Sequence, residues 1–318
     1  MNTFVRQQSN VEKKDLSFQI LSWEACDEEI ENYDSDNEGT PDIRYHIYTF
    51  GVDASGDSVC IRFEGYKPYL FACIPDKLQK TFDNFKKNEV ERFVRNKLFR
   101  NREDLESVSV VSRMKYKGFT NEKQFKFLRF VCKNLNTFNR IRYILCPKDK
   151  SKLPKISSVL QNEPIKFELY ESNIEPYLRF THKMEIQMAN WVTVKNITQD
   201  NEMSRCQHSY TANYASVKKL DRQDICNLTL GSWDIEAFSY STRYENKNDF
   251  PDPTKEHDII TQIGTSVYKF STKESFKHVV TIKSPIDNDC DPVEGVYIET
   301  YDSEKELIIG WVKFIKCV

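Results

Sequence analysis

Residues 43–75, "IRYHIYTFGVDASGDSVCIRFEGYKPYLFACIP", constrain the fold more than any other stretch. Aromatic and β-branched residues fill three short runs, which suit a pleated, half-buried surface. A turn at Asp53–Asp57 and Gly65 separate the runs. The pattern predicts three strands of an antiparallel meander. "LSFQILSWEACD" (16–27) alternates apolar and polar residues and adds a further strand. Between these segments lies "DEEIENYDSDNEGTPD" (27–42), with eight acids, no base, Gly39 and Pro41, which reads as an exposed, mobile loop.

The period then changes. In residues 77–100, Phe82, Phe85, Val90, Phe93, Val94 and Leu98 fall near helical spacing, with Lys and Arg on the other faces. "ESVSVVSRMKYKGF" (106–119) reads as a strand, and residues 121–145 as a second helix capped by Thr120 or Asn121. A sheet with helices makes the first 150 residues an α+β domain. Residues 167–194 hold a short helix, about 173–182, and a strand ending in "WVTV". The next stretch is polar and weakly periodic and reads as a linker.

From "LTLGSWDIEAFS" (228–239) onward the order is strand, long loop, three strands and a helix. The strands are "DIITQIGTSVYKF", "HVVTIK" and "EGVYIETY", and the helix is 303–318. Ser303 followed three residues later by Glu306 is a capping box. At 318 residues the chain is long for one core. The expected division is an N-terminal domain at 1–195, a crossing linker at 196–227 and a C-terminal domain at 228–318.

Composition narrows the classes. No run of about 18 apolar residues exists, so no transmembrane helix is expected, and the polar start is no secretory signal. Nine scattered cysteines without a CxxC pair argue against a disulfide framework or a zinc site, and point to a reducing, intracellular compartment. The net charge of −2 hides an asymmetry. Residues 85–155 carry 20 Lys+Arg against 7 Asp+Glu. Aromatics interleave these bases in "RMKYKGFTNEKQFKFLRF" (113–130), a mixture able to attract phosphates and stack bases. Arg113, Lys115, Lys117, Lys123, Lys126 and Arg129 are the candidate nucleic-acid contacts.

Asp234 and Glu236 stand in a run that otherwise reads as a buried strand. In a strand, residues i and i+2 point to one face about 7 Å apart. The two acids therefore project together, with Trp233 and Ile235 on the other side. Mg²⁺ and Mn²⁺ prefer carboxylate oxygens, so such a pair can begin a metal site. Two metals about 4 Å apart can activate water and stabilise a leaving oxygen in phosphodiester cleavage. A bare DxE also occurs solvated on an edge strand, so spacing alone leaves both readings open. The five histidines form no metal-ligand spacing, and neither a GxGxxG nor a GxxxxGK[ST] loop is present.

The segment "SWDIEAFS…FPDP…DIITQIGTSVYKF" resembles the first exonuclease motif of family B DNA polymerases and the stretch that follows it. "LYESNIEPYLRFTHKMEIQMANWV" is similar to the stretch preceding that domain in eukaryotic delta-like and large DNA virus enzymes. "FEGYKPYLFACIP" and "YKGFTNEKQFKFLRFVCKN" resemble segments of their N-terminal domain, and "ETYDSEKELIIGWVKFI" the helix before the second exonuclease motif. The resemblance implies an α+β N-terminal domain followed by a partial ribonuclease H-like α/β exonuclease domain with a mixed sheet. It implies that Asp234 and Glu236 are the first metal-binding, catalytic acids of a two-metal 3′–5′ proofreading site using Mg²⁺ or Mn²⁺. The basic region would lie along template or single-stranded DNA, in a nucleus or a viral replication factory.

The sequence stops where the family's second motif should begin, and no polymerase "DTDS"-like or "SLYPS"-like segment occurs. The expectation is therefore half a metal site, inactive alone, whose remaining polymerase polypeptide is a partner. A non-catalytic nucleic-acid-binding or scaffolding subunit of a split polymerase is the alternative. A stand-alone ribonuclease H-like exonuclease lacks the later acids.

Overall fold

The computed structural model describes residues 15–30, 41–161, 163–244, 250–283 and 291–318. The chain divides into two compact units, one of residues 1–53 and 57–223, the other of residues 54–56 and 224–318.

The first unit begins with β1 (Asp15–Ile30), β2 (Asp42–Asp53), β3 (Ser58–Glu64) and β4 (Tyr69–Cys73). There follow α1 (Asn84–Leu98), β5 (Leu105–Met114), β6 (Gln124–Cys132), α2 (Leu135–Leu145), α3 (Ser157–Leu160) and β7 (Glu168–Tyr170). Then come α4 (Pro176–Lys183), β8 (Trp191–Lys195), β9 (Thr198–Gln199), β10 (His208–Asn213) and β11 (Val217–Lys219). One sheet runs β11-β8-β1-β2-β3-β10-β9, antiparallel except where β10 pairs parallel to β3. The second runs β5-β6-β4-β7 and is antiparallel.

The second sheet packs apolar side chains on both faces. Phe71, Phe125 and Phe127 pack with Phe18, Ile47 and Phe63 of the first sheet and with Phe180 of α4. Leu70, Leu128 and Phe130 face the other way, against Val90 and Val94 of α1 and Phe138 and Ile141 of α2. The unit is thus sheet, sheet and helices in three layers, joined by apolar burial.

Three expectations change here. The meander of 43–75 breaks: β2 and β3 pair, but β4 enters the second sheet. The predicted helix at 121–145 is a strand, β6, followed by a shorter helix, α2. Apolar side chains occupy both faces of β6, with Lys126 and Arg129 among them, so it lacks the clean alternation of a half-buried strand. The cap is accordingly Asn134, whose side chain accepts from Thr137 N at 2.8 Å, rather than Thr120 or Asn121. The predicted linker supplies β9, β10 and β11, and β10 is a buried neighbour of β3. Of the acidic stretch, residues 27–30 belong to β1, and residues 31–40 lie outside the described residues.

The second unit holds β12 (Thr229–Phe238), α5 (Tyr240–Tyr244), β13 (Ile259–Lys269), β14 (Glu274–Ile282), β15 (Val296–Tyr301) and α6 (Glu304–Cys317). Its sheet is β12-β13-β14-β15, antiparallel until the parallel β14–β15 pair, hence mixed. Ser303 caps α6, accepting from Glu306 N at 3.3 Å. The helix covers one face of the sheet: Leu307 is buried with Ile263 and Val280, and Phe314 stacks on His278 with ring centroids 3.9 Å apart. Among the described residues no helix is long and apolar enough to cross a membrane.

Candidate active site

The acids sit on β12, the edge strand of the mixed sheet among the described residues. Asp234 pairs in register with Gly264 and Glu236 with Gln262. Trp233 and Ile235 alternate with them and belong to the face that α6 covers. Trp233 meets Trp311 edge-to-face at 5.8 Å, and Trp311 Nε1 donates to Thr265 Oγ1 at 3.0 Å, opposite Trp233 in register. The pleat therefore directs Asp234 and Glu236 to the opposite face.

The strand is not buried, contrary to its apolar composition. Nine of its ten residues are exposed, Asp234 and Glu236 among them. The cost of burying an unpaired carboxylate does not arise there. Asp234 Oδ1 accepts from the next backbone amide, Ile235 N, at 2.9 Å. Thr261 Oγ1 donates to the carbonyl of Glu236 at 3.1 Å, and a register shift follows at Glu236/Ala237. Gly264, opposite Asp234, carries no side chain, and a Cβ built there would meet nothing within 4 Å. The carboxylates thus share a face with open space beside them. Two oxygen ligands with room for water and phosphate are the donor set that hard divalent cations take, so the residues fit the metal that their pattern implies.

A further acid orders the segment after β12. Asp258, just before β13, accepts from Tyr240 N at 2.8 Å and from Asp252 N at 2.9 Å, tying α5 and the "FPDP" segment together. Those backbone hydrogen bonds hold its carboxyl below the ordinary range. Sequence reasoning missed Asp258. Its signal is an acid immediately preceding the "IITQIG" strand.

The six basic candidates divide. Arg113 and Arg129 line a cleft of about 350 Å³ in the first unit, with Tyr69, Phe71, Phe127 and Tyr170 among its walls. Arg179 and Lys183 of α4 join them there, unforeseen from sequence. The Arg129 and Arg179 guanidinium carbons lie 4.3 and 4.7 Å from the Tyr69 ring centroid. Arg179 also pairs with Glu171. Lys115 and Lys117 border a second cleft and approach Glu168 at 3.9 and 4.0 Å. Burial works against the Lys115 ammonium, but neighbouring Cys73, Asp76 and Glu168 outweigh it and raise its pKa. Lys123 and Lys115 both lie over the Phe125 ring. Lys126 donates to the carbonyl of Phe82 at 2.9 Å, which commits it to the fold.

Residues 167–318 match the sequence model described as DNA polymerase family B, exonuclease domain. Along 95% of its length the chain is 28% identical to a DNA polymerase of Acanthamoeba polyphaga mimivirus, of which it spans 17%. It is 25% identical over 84% of its length to a DNA polymerase delta catalytic subunit of Oryza sativa, spanning 23% of it. The structure of a family B DNA polymerase from Pyrobaculum calidifontis superposes with a TM-score of 0.54 at 18% identity, over 95% of this chain and 29% of that one. The mixed sheet with its helix accordingly has a ribonuclease H-like fold, lies within the stretch that matches the exonuclease-domain model, and is preceded by an α+β region. The chain spans less than a third of each of these proteins. The family match begins at residue 167, inside the first compact unit, whereas the second unit takes up the main chain at residue 224.

Proposed function

We propose that this chain supplies the N-terminal and exonuclease portion of a DNA-directed DNA polymerase that replicates DNA and removes misincorporated 3′ nucleotides. The observation that carries this reading is the same-face pair Asp234 and Glu236, beside the open space at Gly264, within residues that match the exonuclease family. Asp234 and Glu236 would hold Mg²⁺ or Mn²⁺. Such an ion, when bound, polarises a phosphodiester and lowers the pKa of a bound water. The residues themselves bind and orient: the hydrogen bonds to Asp234 and to the Glu236 carbonyl fix the strand end, and Asp258 fixes the segment beyond it.

Among the described residues, no third metal-ligating side chain gathers with this pair. The chain alone is therefore proposed to be inactive, with turnover requiring further polymerase polypeptide. The Arg113, Arg129 and Arg179 cleft would take single-stranded DNA, phosphates on the guanidiniums and bases against the aromatic walls. Its place of action would be a nucleus or a viral replication factory.

The test is digestion of a 3′-labelled single strand with Mg²⁺ or Mn²⁺, by the chain alone and by the polymerase polypeptide that co-purifies with it. The chain alone should show no turnover. The complex should digest, and Asp234→Ala should abolish that activity. Digestion by the complex that survives Asp234→Ala would overturn the assignment, and turnover by the isolated chain would overturn its inactivity.

A further inference from the structure

A second group of metal-ligating side chains lies in the first unit, apart from the acids of β12. Asp53 closes β2, Asp57 precedes β3, and His208 opens β10. The turn draws the two aspartates together: Asp57 N donates to Asp53 Oδ1 at 3.1 Å, and Asp53 N to the Asp57 carbonyl at 3.0 Å. Parallel pairing of β10 with β3 sets His208 against Val59, so its ring reaches the turn, with Nε2 3.3 Å from Asp57 Oδ2. One ligand atom from each of the three lies within 4.8 Å of the others.

The surroundings hold these groups in place. Gln207 Nε2 donates to Asp57 Oδ1 at 2.5 Å, while its Oε1 accepts from Ser58 N at 2.9 Å. Gln207 N in turn donates to Ser58 Oγ at 3.0 Å. Outer hydrogen bonds of this kind orient ligands in metal sites. Asp53 and His208 are each only 4% exposed. Two carboxylates so close, one of them buried, repel unless positive charge lies among them.

Tyr210 gives an independent sign. Two residues beyond His208, it shares that face of β10, and the two rings stack at 6.2 Å and 17°. It is 1% exposed, and its hydroxyl has no hydrogen-bond partner. A buried hydroxyl rarely goes unpaired. A hydrated cation among these donors would give it a polar neighbour.

We infer that Asp53, Asp57 and His208 form a divalent transition-metal site, of the Zn²⁺ or Mn²⁺ class, that fastens the β2–β3 turn to the start of β10. Two carboxylate oxygens and one imidazole nitrogen suit those ions, with water completing the coordination. The site does not depend on the exonuclease reading.

The experiment separates the two by working in the Asp234→Ala/Glu236→Ala full chain. Zn²⁺ titration by calorimetry should give one equivalent bound there. Asp57→Asn and His208→Gln should each weaken it at least about tenfold. Co²⁺ should give a visible ligand-field absorption that His208→Gln removes. Circular dichroism reports whether each variant folds. Should His208→Gln unfold, Asp57→Asn decides, since Asp57 is partly exposed. Absence of a bound equivalent in the acid-free background, or unchanged affinity in a folded Asp57→Asn, would overturn the site.

Discussion

Replacing Gly310 by alanine should destabilise the second unit, although alanine is the better helix former. Gly310 is buried on the inner side of α6. A Cβ built there would lie 2.8 Å from Tyr301 Cε2, and closer still to Cζ and Oη. Glycine to alanine in a helix interior gains roughly 0.5–1 kcal/mol. Against that, forcing a methyl into a packed contact costs about 1–3 kcal/mol. The ring can yield only by disturbing its packing against the Ile263, Val280 and Leu307 cluster and its hydroxyl's hydrogen bond to Glu299. Losing such a bond costs a further 0.5–1.5 kcal/mol or so. The net expectation is a loss of about 1–3 kcal/mol. In a Tyr301→Ala background the obstruction is gone, and Gly310→Ala should stabilise by up to about 1 kcal/mol. The sign change, a coupling of about 2 kcal/mol, is the quantity of interest. Of the four tryptophans, Trp233 and Trp311 lie in the second unit. Urea unfolding followed by fluorescence in a Trp23→Phe/Trp191→Phe chain therefore reports on that unit. A neutral or stabilising Gly310→Ala with Tyr301 present, or the same shift in both backgrounds, would refute the close-approach argument.

His278 is fully buried between Phe314 and Tyr297, with Glu299 3.6 Å away. Burial lowers its pKa from 6.5, and Glu299 only partly opposes this. The folded state therefore prefers the neutral ring, so stability is complete above about pH 6.5 and falls as acid charges the unfolded chain first. Melting temperature against pH should slope between 7 and 5, and His278→Phe should flatten that slope. Asp27 of β1 accepts from Leu135 N at 2.7 Å and Asn136 N at 2.9 Å, the first amides of α2. Asp27→Ala should cost about 0.5–2 kcal/mol in urea unfolding, as cap removals do. Tyr69→Ala should lower affinity for a single-stranded oligonucleotide by roughly 1–3 kcal/mol in fluorescence anisotropy. Unchanged binding would remove the cleft from the nucleic-acid surface.

The acid pair was legible because strand geometry is local: alternation alone places Asp234 and Glu236 on one face and Trp233 on the other. The environment of that strand was not legible, because burial depends on what covers a face and β12 stands at a sheet edge. The same limit explains β6. Its Phe125, Phe127, Leu128 and Phe130 serve two cores at once, and apolar side chains on both faces blur the alternation that distinguishes strand from helix. β10 was lost for the opposite reason. Its short "HSYTAN" is polar in composition, yet parallel pairing with β3 buries most of it. The clusters assembled across such pairings, Asp53 with His208 and Arg129 with Arg179, are separated by 155 and 50 positions in the sequence. No spacing rule spans those distances. Local chemistry could thus place two acids on one face of an exposed strand, whereas every group that depends on β10 or α4 had to wait for the fold.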